Sequence, residues 1–383
     1  MEQFIAERSV SPATGMEQWV VASAETLTLH REATAFLVAL RSKGRSVNTE
    51  RAYAGRVALY LNYCQGRRLV WAAPTFLGLA GLQRWLVTEP LPARSPRTAG
   101  HPRFRSQTTA NAVMTVVSGF LRFGAAHGWV APATVALLSE PKTLWHLPPG
   151  YDVGEDGQWR TVDKAAFRFA LTDPGYQDLS PEQIAVMISS ARTARDRFLI
   201  ALLACTGLRI GEALGVRQED LHLLASSRVL GCGTVGPHLH VRRRTDNPNR
   251  ALAKSRQPRT LPVTADLVAL YADYQYERDS IAGTAGTRMV FVNLSRPPVG
   301  RPMSYPNTKA MFDRLARTAT HAFRPHMLRH SAATTWLRGG VDRDVVQRLL
   351  GHVSPLSMER YRHVDDSETR QAVEHVEALQ SRP

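Results

Sequence analysis

Four stretches early in the chain carry apolar residues at the spacing of an amphipathic helix. From Leu29 to Lys43 apolar residues recur at helical spacing, with Phe36, Leu37 and Leu40 among them, and a second helix starts near Thr49 and runs through Tyr53, Val57, Leu59 and Leu61 to Tyr63. A third spans Thr75–Leu86 and a fourth Thr108–His127, with Gly128 placed to close the last turn. Together they predict a small all-helical domain over residues 26–140. Residues 1–25 lack sustained periodicity and read as a flexible tail.

The pattern changes beyond residue 140. Residues 141–178 mix Pro, Gly, Trp and acidic positions without a lasting period, which predicts an interdomain connector with at most a short helix at Ala165–Leu171. Ser180-Pro181-Glu182 signals a helix start, and residues 179–383 form the second predicted domain. Its helices are expected at Glu182–Ser190, Asp196–Thr206, Asp266–Ile281, Tyr305–Ala319, Pro325–Arg338, Asp342–Leu350 and Glu368–Leu379. Short β-like runs at Val229–Leu230, His238–Arg243 and Arg259–Val263 fall between them. The predicted fold class is therefore mainly α with a small β-sheet: a helical domain, then a mixed α/β domain.

Charge narrows the function. Lys+Arg exceed Asp+Glu by 48 to 33, a formal net charge of +15. Such an excess favours a polyanion partner, nucleic acid first among them. Only five of the cations are lysine (Lys43, Lys142, Lys164, Lys254 and Lys309), a bias that GC-rich coding explains as well as selection for phosphate recognition does. The loop over 90–106 holds four arginines among Pro and Gly, so it is either a DNA-backbone contact or simply solvated. No apolar run approaches the ~18 residues of a membrane span. Cys64, Cys205 and Cys232 lack metal-like spacing and fit a reduced, cytoplasmic protein.

The chemistry concentrates in the second domain. Thr206-Gly-Leu-Arg209-Ile-Gly-Glu212 leaves the end of an apolar helix, with Gly207 allowing close backbone approach. His326-Met-Leu-Arg329-His330 puts His326 and Arg329 on one helix face, whereas His330 is expected on the helix surface. Leu350-Gly351-His352 turns an imidazole out at a helix end, and Tyr361 follows in the polar stretch Ser357-Met-Glu-Arg-Tyr361-Arg-His-Val. Phosphodiester transfer without a metal needs fixed guanidiniums to neutralise the phosphorane oxygens, for which Arg209 and Arg329 are the candidates. Tyr361 is the candidate nucleophile, its phenol activated by neighbouring cations and an imidazole. Lys254 is placed either to protonate the leaving oxygen or only to position the phosphate. Glu212 either orients an arginine or compensates charge at a helix start.

These residues, in this order, resemble the tyrosine recombinases of the phage-integrase superfamily. The resemblance implies that Tyr361 attacks the scissile phosphate to leave a 3′-phosphotyrosine and a free 5′-hydroxyl. Arg209 and Arg329 would hold the phosphorane, Lys254 would protonate the leaving oxygen, and His326 and His352 would assist proton transfer and phosphate binding. It further implies a core-binding role for the helical domain, double-stranded DNA as partner, and four protomers on two synapsed sites. Neither a cofactor nor a metal is expected for that reaction. The tail after Tyr361, with Val373, Val376 and Leu379 at helical spacing, suits docking on a neighbouring protomer or packing within its own. The competing readings are a DNA-binding protein of the same fold without strand exchange, and a topoisomerase with the same nucleophile.

Overall fold

A computed structural model describes residues 3–351, apart from 13, 94–101, 146–151, 153, 157–159, 172–177, 256, 282, 285, 296 and 319–322. The chain divides into two compact units, Met1–Asp173 and Pro174–Pro383.

The first unit opens with an antiparallel hairpin, β1 (Phe4–Val10) and β2 (Glu17–Ser23), where the sequence pattern had predicted a flexible tail. Its anchors lie far along the chain, which is why local pattern missed it. Helix α1 spans Arg31–Ser42 and α2 spans Val47–Gly66. From α2, the Asn62 amide clasps the backbone of Phe4, accepting from its N–H at 2.7 Å and donating to its carbonyl at 2.8 Å. Glu50, also on α2, accepts the Trp19 N–H at 3.0 Å and pairs with Arg41. Val20, Val21 and Ala22 are buried against the helices.

Helices α3 (Phe76–Thr88) and α4 (Gln107–Ala126) complete the bundle, followed by the short α5 (Pro132–Ala136). Ser46, Thr75 and Ser106 cap their helices by accepting N–H bonds that the first turn leaves unpaired. Leu37, Val57, Leu79, Leu82, Leu86, Val117 and Phe120 fill the core at full burial. Arg103 bridges back to Leu91, pinning the ends of the 90–106 loop.

Part of the expected connector belongs to this first unit. Strands β3 (Ser139–Thr143) and β4 (Thr161–Ala165) pair antiparallel. Beyond them Phe167 enters the helical core, and the Asn111 amide holds the Phe169 backbone from both sides at 2.8 and 3.0 Å. Ala165–Leu171 forms no helix, because those side-chain bonds and the buried ring keep it extended.

In the second unit α6 (Pro181–Ser190) begins with a capping box between Ser180 and Gln183. Helix α7 (Ala194–Thr206) is buried nearly all round, with Phe198 through Leu203 each at most 3% exposed. The short α8 (Ile210–Ala213) follows, then β5 (Leu221–His222), β6 (His238–Val241) and β7 (Arg259–Pro262), an antiparallel sheet in the order β5-β6-β7. Val229–Leu230, expected as β-like, lies instead in a 3-10 turn, Arg228–Leu230, between β5 and β6. Helices α9 (Ala265–Asp279), α10 (Tyr305–Thr318), α11 (Pro325–Arg338) and α12 (Arg343–Leu350) surround α7 and the sheet. The expected helix Glu368–Leu379 lies outside the described residues. The mainly helical class with a small sheet in the second unit is as the pattern predicted, whereas the first unit, expected to be all-helical, carries two small hairpins as well.

Candidate active site

Helix α7 stops because Gly207 takes a left-handed conformation, φ +60°. A Cβ there would sit 2.8 Å from the Leu350 side chain, so the glycine also lets the end of α12 press against the end of α7. Two residues on, Arg209 is extended and caps α8. Its N–H donates to Glu212 Oε2 at 3.0 Å, and its guanidinium reaches Glu212 Oε1 at 3.3 Å. The Arg209 side chain stays 24% exposed while that of Glu212 is fully buried.

Arg259, at the start of β7, is the partner that sequence reasoning missed. Its Nη2 donates to Glu212 Oε2 at 2.8 Å and its Nε to the Leu349 carbonyl at 2.9 Å. Burial pushes the Glu212 carboxyl upward. The hydrogen bond and charge of Arg259, with the N–H and charge of Arg209, outweigh burial and hold it below the usual carboxylate range. The sequence signal was slight: Arg259 is one of many arginines, and only strand pairing turns it toward α8.

Arg329 is 1% exposed on α11. It donates through Nη1 to the Gly207 carbonyl and through Nη2 to the Leu350 carbonyl at 2.7 Å, partners 122 and 21 residues away. A closed circuit results, from Gly207 through Arg329 to Leu350, and from Leu349 through Arg259 and Glu212 back to Arg209. That circuit fixes the point where the chain leaves α12, with Gly351 in the left-handed conformation expected of it.

Arg209, Lys254, His326 and Arg329 line one cavity of about 690 Å³. Lys254 approaches it because Gly211 has no side chain: a Cβ there would meet the Leu252 carbonyl at 2.9 Å. His326 stands in the first turn of α11, exposed, and the His330 ring meets its edge with centroids 4.3 Å apart. His330 is therefore a neighbour of the site as well as a helix-surface residue. Tyr305, Lys309 and Arg324 also line the cavity, and sequence reasoning gave none of them a role. Asp313 is the single carboxylate of the lining among the described residues, and it is paired with Lys309 at 2.6 Å. The lining thus presents cations, and suits an anion with several oxygens. Two further sequence candidates, His352 and Tyr361, lie outside the described residues.

The model of the phage integrase family matches residues 177–368, half of the chain. The chain belongs to that family. Among its relatives, transposase A from transposon Tn554 of Staphylococcus aureus is 26% identical over 347 residues, covering 88% of each chain. Tyrosine recombinase XerC of Mycobacterium tuberculosis is 28% identical over 334 residues, covering 84% of this chain and 89% of the relative. The fold is shared with the Tn1549 transposon integrase, solved in complex with circular intermediate DNA, at a TM-score of 0.52 and 15% identity over 89% of this chain and 98% of that one. Membership makes this chain a site-specific DNA recombinase, an enzyme that breaks and rejoins DNA strands. Its matched segment runs past Tyr361 and so spans every residue of the sequence-derived site.

Proposed function

We propose that the enzyme cleaves DNA by attack of Tyr361 on the scissile phosphate, forming a 3′-phosphotyrosine and releasing a 5′-hydroxyl. Rejoining reverses the step on a partner strand, so the phosphodiester energy is kept in the protein–DNA bond. Arg209 and Arg329 neutralise the two nonbridging oxygens as charge builds on the phosphorane. Lys254 gives the leaving 5′-oxygen its proton. His326 handles the proton at the attacking phenol, and His352 supports the phosphate. Glu212 acts through Arg209 and Arg259, holding the first guanidinium in place.

One observation carries this reading: Arg209, Lys254, His326 and Arg329, scattered over the second unit's sequence, line a single cationic cavity. Oriented guanidiniums act on developing charge with little reorganisation, and the carbonyl and carboxylate anchors supply that orientation here. Four protomers on two synapsed duplexes complete the proposal, with the segment after Tyr361 docking between neighbours. A DNA substrate supports the bacterial cytoplasm, with the nucleoid, as the place where the enzyme works. Among the described residues no helix is long and apolar enough to cross a membrane.

A suicide duplex nicked beside the cleavage point tests the chemistry. Wild type traps a covalent adduct, and Tyr361→Phe traps none. Adduct formed by Tyr361→Phe would remove the phenol from the mechanism. Strand exchange between two duplexes separates a recombinase from a topoisomerase that relaxes one.

A further inference from the structure

Three imidazoles and a thiol meet on one face of the sheet in the second unit. His222 on β5 lies directly opposite His238 on β6, and His240 follows two residues later on the same face. The loop between those strands folds Cys232 over them. Its Sγ is 3.3 Å from His238 Nε2 and 3.5 Å from His240 Nε2, and the ligating atoms of all four residues lie within 4.8 Å of one another. Zinc bonds of roughly 2.0–2.3 Å in a tetrahedron put ligand atoms about 3.3–3.6 Å apart. The two distances from Cys232 to His238 and His240 already fit, and the wider separations of the group, up to 4.8 Å, have to close by roughly 1 Å.

The surroundings have the form of a metal site's outer layer. His238 Nδ1 is held by the Gly236 carbonyl at 2.7 Å and His240 Nδ1 by the Thr260 hydroxyl at 3.1 Å, which leaves both Nε2 atoms turned to the sulfur. His222 is 6% exposed, and its Nδ1 is buried with no hydrogen-bond partner among the described residues. Hydrogen bonding therefore does not explain why a third imidazole is packed here, its ring 4.9 Å from His238 and 4.7 Å from His240. Imidazole nitrogens and a sulfur facing a common point bring donor atoms together, an arrangement that a bound cation stabilises.

We infer that His222, Cys232, His238 and His240 bind one structural zinc ion. The ligand set is closed, with four protein donors and no position reserved for water, as in structural rather than catalytic zinc sites. None of the four residues lines the cavity of the active site. The ion ties the loop between β5 and β6 to the sheet, holding in place a segment whose Val229 and Val235 are 89% and 87% exposed. Zinc here acts on loop order and stability, and phosphoryl transfer does not run through it.

Metal analysis of tag-free, full-length protein purified without chelators tests the assignment. One zinc per protomer is expected. Cys232→Ser and His240→Ala should lose it, and Cys205→Ser, whose thiol is outside the cluster, should keep it. Cobalt(II) added to stripped protein should give the visible bands of a tetrahedral site and a sulfur-to-cobalt charge-transfer band that Cys232→Ser abolishes. Stripping should lower the melting temperature of wild type and leave that of Cys232→Ser unmoved. Wild-type protein that neither retains zinc nor gives the cobalt spectrum overturns the site, whatever the variants do. Zinc retained at full stoichiometry by both ligand variants overturns the choice of residues, and a different metal at these four overturns the choice of ion.

Discussion

Two arginines in the second unit, Arg278 and Arg329, are each 1% exposed, yet their surroundings differ. Arg278 at the end of α9 donates to four carbonyls, those of Thr284, Thr287, Met289 and Val290, at 2.8–3.1 Å. All four come from the one segment that follows the helix, so the guanidinium is the hub of a local turn. Arg329 instead joins the ends of α7 and α12 and lines the cationic cavity. Burial of a cation shows only that its donors are satisfied. Function depends on which distant segments it joins and what space it faces.

The sharpest test of that contrast is cleavage. Arg329→Ala and Arg209→Ala should each lower adduct formation on the suicide duplex by at least ~10²–10³-fold, the usual loss for one transition-state donor. DNA affinity, measured by gel shift, should stay within about tenfold because many other cations contact the backbone. Lys254→Ala should lower the rate by about 10²-fold or more on ordinary DNA. A bridging sulfur at the 5′ position, which departs without a proton, should restore it. Failure of that rescue would leave Lys254 only a phosphate-positioning role.

Arg278→Met is expected to act on stability. It removes a donor from four carbonyls, of which, among the described residues, only that of Val290 keeps a bond in exchange, from the Tyr274 hydroxyl at 2.7 Å. The change should lower unfolding free energy by about 3–5 kcal/mol in urea titration, as breaking other buried polar hubs does. Cleavage per folded molecule should be unchanged. Equal loss of cleavage by folded Arg278→Met would erase the distinction between the two arginines.

Smaller effects follow at Glu212. Its carboxyl is held below the ordinary value of 4.5 in the folded state, so the stability it contributes is complete above that value and is lost as pH falls through the lower, folded one. Glu212→Gln should therefore be destabilised at neutral pH by about 1–3 kcal/mol and flatter in its acid unfolding curve. An acid limb identical to wild type would discount the carboxylate's link to Arg259 and Arg209. The smallest change is expected from Tyr305→Phe. That phenol lines the cavity but stands in the first turn of α10, and adduct yield should match wild type.

Regular helices were legible wherever one apolar face met a nearby core. Helices α1 to α4, α6, α7 and α9 to α12 fall within a few residues of their predicted bounds, because amphipathic spacing and capping act over neighbouring residues. The N-terminal hairpin was not legible, since Asn62 and Glu50 that anchor it are 58 and 31 residues from their backbone partners. Phe167 and Phe169 escaped for the same reason: Phe167 packs its ring against Phe76 on α3, and Asn111, which holds the Phe169 backbone, is on α4, 58 residues away. Within the site, Arg209, Glu212, Lys254, His326 and Arg329 were visible through motif order. Arg259 and the zinc cluster were not, because strand register brings their members together and spacing along the chain does not.

By itself the sequence determined the helical elements, the excess of positive charge and the identities of the residues proposed to meet a phosphate. Those properties are local or additive, and they can be read without knowing which segments touch. Tertiary structure alone decided that Gly207, Arg329, Leu350, Arg259 and Glu212 close one circuit behind Arg209, and that three histidines converge on Cys232. Long-range hydrogen bonds and sheet register set those meetings, and neither leaves a periodic trace in the chain.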